Sequence, residues 1–370
     1  MFLKNKWKNL SIKKKLFLWS SLTIIIAFSL LYISMYLFMP KVYELYKVNN
    51  INEEIKELKY ELLNNEEIDI DEVLDKFSYE NNLDILLVKK DGNNLINEVI
   101  ECSKIEKEKI LGAGVALHGI VNARTGMSIY SPYYGWKEIN IKEALENELN
   151  LGVYVDNDVR AMALGESWFG ITKDISNFVT LNISNGIGAG IIINSKPYYG
   201  VDFSAGEIGH IVVEGDGDKC NCGNYGCLET VASNNNITKK AIKLIKQGTN
   251  SVLKELKADI NQLTIEDISE AAKLEDELAI SIIKEAARYI GIAITNLINI
   301  LNPTSIVVVG EIFENTFYAI ETLNEIVKNR GMKLSSENVR IIKSMLGRDA
   351  AVVGATTLVI QEIFNGMSIN

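Results

Sequence analysis

The sequence predicts an α/β domain behind a single membrane-spanning helix, on three observations. From about residue 94 to 366, short apolar runs alternate with segments of helical period, the pattern of strands and helices packed in layers. Leu16–Met39 is an uncharged run of 24 residues, where about 20 suffice to cross a bilayer as a helix. Between the two, residues 40–93 are rich in Glu and Lys.

Residues 1–15 form a basic start, with Lys4, Lys6, Lys8, Lys13, Lys14 and Lys15 and no acid. The run 16–39 is bounded by Lys15 and by Pro40-Lys41, with Trp19, Tyr32 and Tyr36 toward its ends, where amphipathic rings sit at headgroup level. It is longer than a typical signal-peptide core and no small-residue cleavage site follows it, which favours a retained span over a cleaved leader. Only Lys41 and Lys47 follow it closely, so the lysine bias places the N-terminus in the cytoplasm and the rest outside. The expectation is a single-pass membrane protein that meets the bilayer through residues 16–39. In 40–93, Ile51, Ile55, Leu58 and Leu62 form one helical stripe, and Leu83–Lys89 reads as a strand before the turn Asp91-Gly92. In pattern, residues 1–93 resemble the opening of a bacterial sensor histidine kinase.

The α/β region follows. Glu98–Lys109 reads as a helix and Ile110–Leu117 as a buried strand ended by His118-Gly119. Ile141, Ala144, Leu145 and Leu149 mark an amphipathic helix that stops near Asn150-Leu151-Gly152. The strand Val153–Val155 delivers Asp156-Asn157-Asp158 at its carboxyl end, where α/β sheets bind ligands, and a helix begins near Arg160. Phe178–Ile183 and Gly190–Ile193 read as paired strands around a glycine-rich loop. Ile280–Leu301 is a long helix closed by Asn302-Pro303, Ile306–Val309 a buried strand, and Asp349–Ile363 a terminal helix.

Composition narrows the function classes. Hydrophobic residues make up 47% and charged residues 23%, which excludes a disordered chain, a collagen and a small disulfide scaffold. The net charge of −10 opposes non-specific nucleic-acid binding. His118 and His210 are the two histidines available for metal or acid–base work.

Cys220, Cys222 and Cys227 lie within eight residues, with His210 ten residues upstream. Three thiolates and one imidazole suit a structural zinc ion in tetrahedral coordination. A disulfide would leave one of the three thiols unpaired, and free buried cysteines are the other alternative. Cys102 stands apart and reads as a small core residue.

The run Cys220–Glu229 (CNCGNYGCLE), preceded by Ala205-Gly206-Glu207-Ile208-Gly209-His210, closely resembles the signature of the ROK family of repressors, open reading frames and sugar kinases. Gly135-Trp136-Lys137, Asp156-Asn157-Asp158, Gly186-Ile187-Gly188-Ala189-Gly190, Asn302-Pro303 and Val309-Gly310 match further motifs in family order. The resemblance covers about residues 94–366 and implies an actin/hexokinase-like (RNase H-like) two-lobed fold with a truncated N-lobe. It implies that Asp158 is the base acting on a sugar hydroxyl in kinase members, and that Asn157, Glu207, His210 and Glu229 contact the sugar, with His210 also binding zinc. Gly186 and Gly188 match a weak phosphate loop.

The departures matter too. The kinase motif Asp-x-Gly-x-Thr is missing, and Ser184-Asn185-Gly186 replaces Gly-Thr-Gly, so ATP and magnesium are not expected. Ala116–Val121 looks closer to xylose-type repressors, yet no basic recognition helix precedes it, so no direct DNA-binding element is found. Three readings result: a sugar-sensing regulator of xylose-repressor type lacking its DNA-binding head, an ATP-dependent sugar kinase, and a membrane-anchored, non-enzymatic sugar sensor. The expected partner is a monosaccharide, and a homodimer is left open.

Overall fold

The computed structural model describes residues 110–131, 135–257 and 259–367. The basic start, the span 16–39, the sensor-like segment 40–93 and the helix expected over 98–109 all lie outside the described residues.

Strand β1 (Ala113–Leu117) runs into an antiparallel three-stranded sheet of β2 (Ile120–Asn122), β3 (Met127–Ser131) and β4 (Trp136–Asn140). Asn140 caps α1 (Ile141–Leu149) by accepting from the Glu143 N–H, and Asn150 ends it in the left-handed conformation at φ 50°, a geometry asparagine tolerates. β5 (Val153–Asn157) then pairs parallel with β1, setting Leu117 opposite Asn157. Directly from β5 the chain enters α2 (Asp158–Trp168).

A five-stranded sheet follows. β6 (Phe178–Ile183), β7 (Ile187–Ile193) and the short β8 (Lys196–Pro197) form an antiparallel meander. The helices that come next include α3 (Leu228–Ala232), α4 (Asn234–Lys246), α5 (Ile265–Lys273) and α6 (Glu277–Leu301). β9 (Ser305–Val309), α7 (Phe317–Arg330), β10 (Arg340–Lys343) and the terminal α8 (Ala350–Met367) complete the chain. The strand order is β10-β9-β6-β7-β8, with β9 parallel to both β6 and β10. Lying between two strands, β9 is buried at all five positions, which explains its unbroken Ser-Ile-Val-Val-Val.

α6 shows why the long helical period is reliable. Leu278, Ile282, Ile283, Ala286, Ile290, Ile294 and Ile298 recur at three- and four-residue spacing and are all buried. Asp276 caps its start, accepting from the Ala279 N–H at 2.9 Å, and Asn302 ends it at φ 45°. Each such Leu or Ile contributes about 1.5–3 kcal/mol by burial.

α8 packs across α2 and β1, backbone against backbone. A Cβ added to Gly114 would lie 1.9 Å from the Ala355 carbonyl oxygen, and one on Gly354 would lie 1.9 Å from that of Ala161. Only glycine permits approaches this close.

Two expectations are corrected here. Among the described residues no helix is long and apolar enough to cross a membrane. In α6 the apolar stripe is one-sided, since Lys284, Glu285 and Arg288 share the helix. The single-pass membrane localisation, with the membrane as a partner, is therefore withdrawn. Second, residues 119–140 carry three strands where the sequence suggested none. Their alternation is hidden because the buried positions of β3 are Ser128 and Ser131.

Candidate functional site

The site grows from the carboxyl ends of β1 and β5. Asn157 caps α2: its Oδ1 accepts from the N–H groups of Val159 (3.0 Å) and Arg160 (3.1 Å). Its Nδ2 donates to the Gly119 carbonyl (3.0 Å) and to Asp158 Oδ1 (2.8 Å). The amide is thus committed to holding the β1 turn and Asp158 in place. Asp158 Oδ1 also accepts from the Val159 N–H at 2.9 Å. Its Oδ2 lies 3.9 Å from His118 Nδ1, with a quarter of the side chain exposed. Burial raises the Asp158 carboxyl above the usual carboxylate range, and the His118 imidazole is the chief opposing influence.

His118 reaches this position through register. Leu117 pairs with Asn157, so the next residues, 118 and 158, emerge side by side. Gly119 follows at φ 99°, where a Cβ would lie 2.4 Å from the Tyr130 carbonyl oxygen. Glycine alone makes this turn into β2.

The loop between β6 and β7 closes the opposite side. Glu229, on the first turn of α3, accepts from the Ile187 N–H at 3.4 Å. A Cβ on Gly186 would stand 3.5 Å from Glu229 Oε2 and 3.6 Å from His118 Cε1, so the three residues converge. Gly188 faces elsewhere: a Cβ there would meet Val159 of α2 at 3.0 Å.

Glu207 and His210 flank a 3-10 turn that is tied to β7 by the Ala189 N–H bond to the Gly206 carbonyl (2.8 Å). Glu207 Oε2 lies 3.9 Å from His210 Nε2. Burial raises the Glu207 carboxyl; His210 and His118 oppose that, and the Asp158 charge adds to it. Asp158, His118 and Glu207 therefore share one electrostatic environment.

The other nitrogen of His210 belongs to the cysteine cluster. His210 Nδ1 is 3.6 Å from Cys220 Sγ, and Cys222 Sγ is 3.7 Å from Cys227 Sγ. All four donor atoms lie within 4.8 Å of one another. A tetrahedral zinc–thiolate site has edges of about 3.8 Å, whereas a disulfide needs about 2.05 Å, so the donor set and spacing fit zinc. A tight turn shapes it, with Cys220 N–H donating to the Asn224 carbonyl and Gly223 N–H to that of Cys220. The Asn224 backbone N–H is the main influence lowering the Cys222 thiol, while burial and the neighbouring thiols push Cys227 up to about 12. Cys102 lies outside the described residues.

Behind the crevice sits a closed ion cluster. Arg160 Nε donates to Asp156 Oδ1 at 2.8 Å, Nη1 to the Phe203 carbonyl at 2.8 Å, and Nη2 to the Val121 carbonyl at 2.7 Å. The guanidinium also lies 5.3 Å from the centre of the Tyr199 ring. Burial, reinforced by the Asp156 charge, pushes the Tyr199 hydroxyl up to about 12. The cluster fixes β2, α2 and the loop at Phe203 around the site.

Residues 90–362 match the model of the ROK family. The chain belongs to the ROK family. It is 33% identical over 274 residues to the DNA-binding transcriptional dual regulator NagC of Escherichia coli, covering 74% of this chain and 66% of NagC. Identity to the xylose repressor of Caldicellulosiruptor bescii is 32% over 278 residues, 74% of this chain and 68% of that one. A glucokinase of Halalkalibacterium halodurans is 33% identical over 303 residues, 79% of this chain and 89% of the enzyme. Among solved structures, a ROK family transcriptional regulator, a homologue of the E. coli MLC protein, superposes with TM-score 0.67 at 31% identity, covering 74% of this chain and 69% of that one. A ROK glucokinase from Streptomyces griseus in complex with glucose and AMPPNP gives 0.65 at 25% identity, covering 72% and 88%. The actin/hexokinase-like α/β fold follows. This ROK chain thus spans about two thirds of the length of the NagC relative. No fused sensor-kinase portion is supported.

The geometry gathers Asp158, Glu207 and Glu229 around His118, and His210 links Glu207 to the cysteines. Asn157 serves as a cap and Gly188 as a packing residue. His118 and the Asp156–Arg160 pair were not marked as site residues in the sequence. The signal for His118 was its place after a strand parallel to the one bearing Asp158.

Proposed function

We propose that this ROK protein is a sugar sensor of repressor type, binding a neutral monosaccharide in the crevice of Asp158, Glu207, His210 and Glu229 without phosphorylating it. The convergence of these side chains carries the reading. A monosaccharide presents a fan of hydroxyls, each donor and acceptor, and carboxylates with an imidazole satisfy them in pairs. His210, Cys220, Cys222 and Cys227 would hold a structural zinc ion. With Nδ1 committed to the metal, the proton of His210 stays on Nε2, facing Glu207 and the crevice. The repressor side is favoured by the NagC and xylose-repressor relatives and by the lack of Asp-x-Gly-x-Thr in the sequence. Phosphoryl transfer rests on positioning the phosphates and neutralising their charge; general-base help from Asp158 alone supplies only about 10²–10⁴-fold.

The alternative, an ATP-dependent sugar kinase, draws on the glucokinase relative, which is matched over 89% of its length. One experiment separates the two. Calorimetry with xylose, glucose and N-acetylglucosamine gives heat for at least one sugar, and a coupled assay shows no sugar-dependent ADP release. Silence across the whole panel would refute sugar sensing. Robust ADP release lost in Asp158→Ala would establish the kinase.

A further inference from the structure

We propose that His118 and Asp158 form a second hydroxyl-reading pair beside that of His210 and Glu207, and that His118 sets which neutral monosaccharide the crevice accepts. The inference rests on the sugar-binding reading above and adds a residue and a selectivity to it.

Two histidine–carboxylate pairs face one crevice with the same separation, 3.9 Å between His118 Nδ1 and Asp158 Oδ2 and 3.9 Å between His210 Nε2 and Glu207 Oε2. That distance is beyond a direct hydrogen bond and suits one oxygen placed about 2.8 Å from each partner. The bridging group must accept from an imidazole N–H and donate to a carboxylate, because an ionised carboxylate only accepts. A sugar hydroxyl does both. An ether oxygen cannot donate, and a carboxylate or phosphate oxygen would meet Asp158 with like charge.

The pair is built into the fold. The parallel register of β1 and β5 sets residue 118 beside residue 158. Asn157 fixes both sides, donating to the Gly119 carbonyl at 3.0 Å and to Asp158 Oδ1 at 2.8 Å. Asp158 therefore presents Oδ2, while His118 stays 46% exposed at the crevice mouth, next to Gly186 and Glu229. Each pair reads one hydroxyl position, so two together discriminate between sugars that differ at either. A site that hydrogen-bonds a hydroxyl rejects the analogue lacking it, since its own polar groups are then left unpaired.

The test is calorimetry on the full chain, wild type against His118→Ala and His118→Asn. The ligands are whichever of xylose, glucose and N-acetylglucosamine binds tightest, together with its monodeoxy analogues. His118→Ala is expected to weaken the parent sugar about fivefold, the value of one ordinary hydrogen bond. His118→Asn, which keeps a donor near the Nδ1 position, recovers most of that loss. At one ring position, removing the hydroxyl costs the wild type about tenfold and costs His118→Ala clearly less, because only the bond to Asp158 remains to be lost, the non-additivity of groups in contact. Unchanged affinity in His118→Ala, or identical deoxy penalties in both proteins at every position, would overturn the pair while leaving sugar sensing intact. A wild type that binds none of the three sugars removes both readings at once. Circular dichroism and zinc content confirm that the variants fold.

Discussion

Asp156 and Asp158 lie two residues apart at the end of one strand, yet their surroundings differ in kind. Asp156 is 2% exposed and held by Arg160, whose remaining nitrogens are spent on the Val121 and Phe203 carbonyls. Asp158 keeps Oδ2 turned toward the crevice, with His118 at 3.9 Å. Burial raises both carboxyls, so burial alone does not mark a functional acid. The difference lies in partners: a carboxylate matched by a buried guanidinium holds geometry, and one with an outward lone pair can meet a ligand.

The largest expected effect tests the closed half. Arg160→Ala leaves Asp156 buried without its counter-ion and orphans two carbonyls, so urea unfolding should show a loss of about 3–5 kcal/mol. A loss below about 1 kcal/mol, the range of exposed ion pairs, would erase the contrast. Next comes the metal. Relative to wild type in buffer holding free zinc a hundredfold above Kd, stripping the metal with a chelator, or Cys222→Ser, should lower stability by about 2.7 kcal/mol. Plasma emission spectrometry should read one zinc per wild-type chain in reducing buffer. The open half responds in the reverse sense. Asp158→Asn should weaken sugar binding about tenfold, because an ionised acceptor bonds hydroxyls more strongly than an amide oxygen. Its unfolding free energy should stay within about 0.5 kcal/mol of wild type. If stability falls as far as in Arg160→Ala, the two aspartates do the same job.

The smallest effect concerns a third acid on α2. Glu166 is fully buried, bonded to the Ser344 hydroxyl and the Ile171 N–H, and burial raises its carboxyl above the usual carboxylate range. The folded state therefore holds this proton more tightly than the unfolded chain does. Its contribution is fully present below the unfolded value and fades as pH rises through the folded one. Wild type should lose stability relative to Glu166→Gln as pH rises above the usual carboxylate range, as chemical denaturation at several pH values would show. An identical pH dependence in the two proteins would remove Glu166 from the account.

Much of this was legible beforehand because the carrying signals are local. The α6 period, the apolar β9 run and the cysteine spacing each fit within one element. Asp158 could be read from its place after a strand. What escaped depends on pairing. The β2–β4 sheet hides behind buried serines. His118 gains meaning only once β1 and β5 align. The capping role of Asn157 also went unread, although an asparagine before a helix is a strong cap. α4 carried an unused signal, with Ile237, Ala241 and Ile245 four residues apart and buried behind a run of three asparagines.

The seam between β1 and α8 has a mechanical consequence. β1 bears His118 just past its end and Gly114 within it, and the Ala355 carbonyl rests directly on that glycine. At Gly114 the nearest atoms of the helix are backbone, with no side chain between to cushion a shift. A displacement of β1 at Gly114 would therefore be passed to the backbone of α8 directly. Thr356, exposed on that helix beside Ala355, is where an attached fluorophore would report the occupancy of a crevice it does not touch.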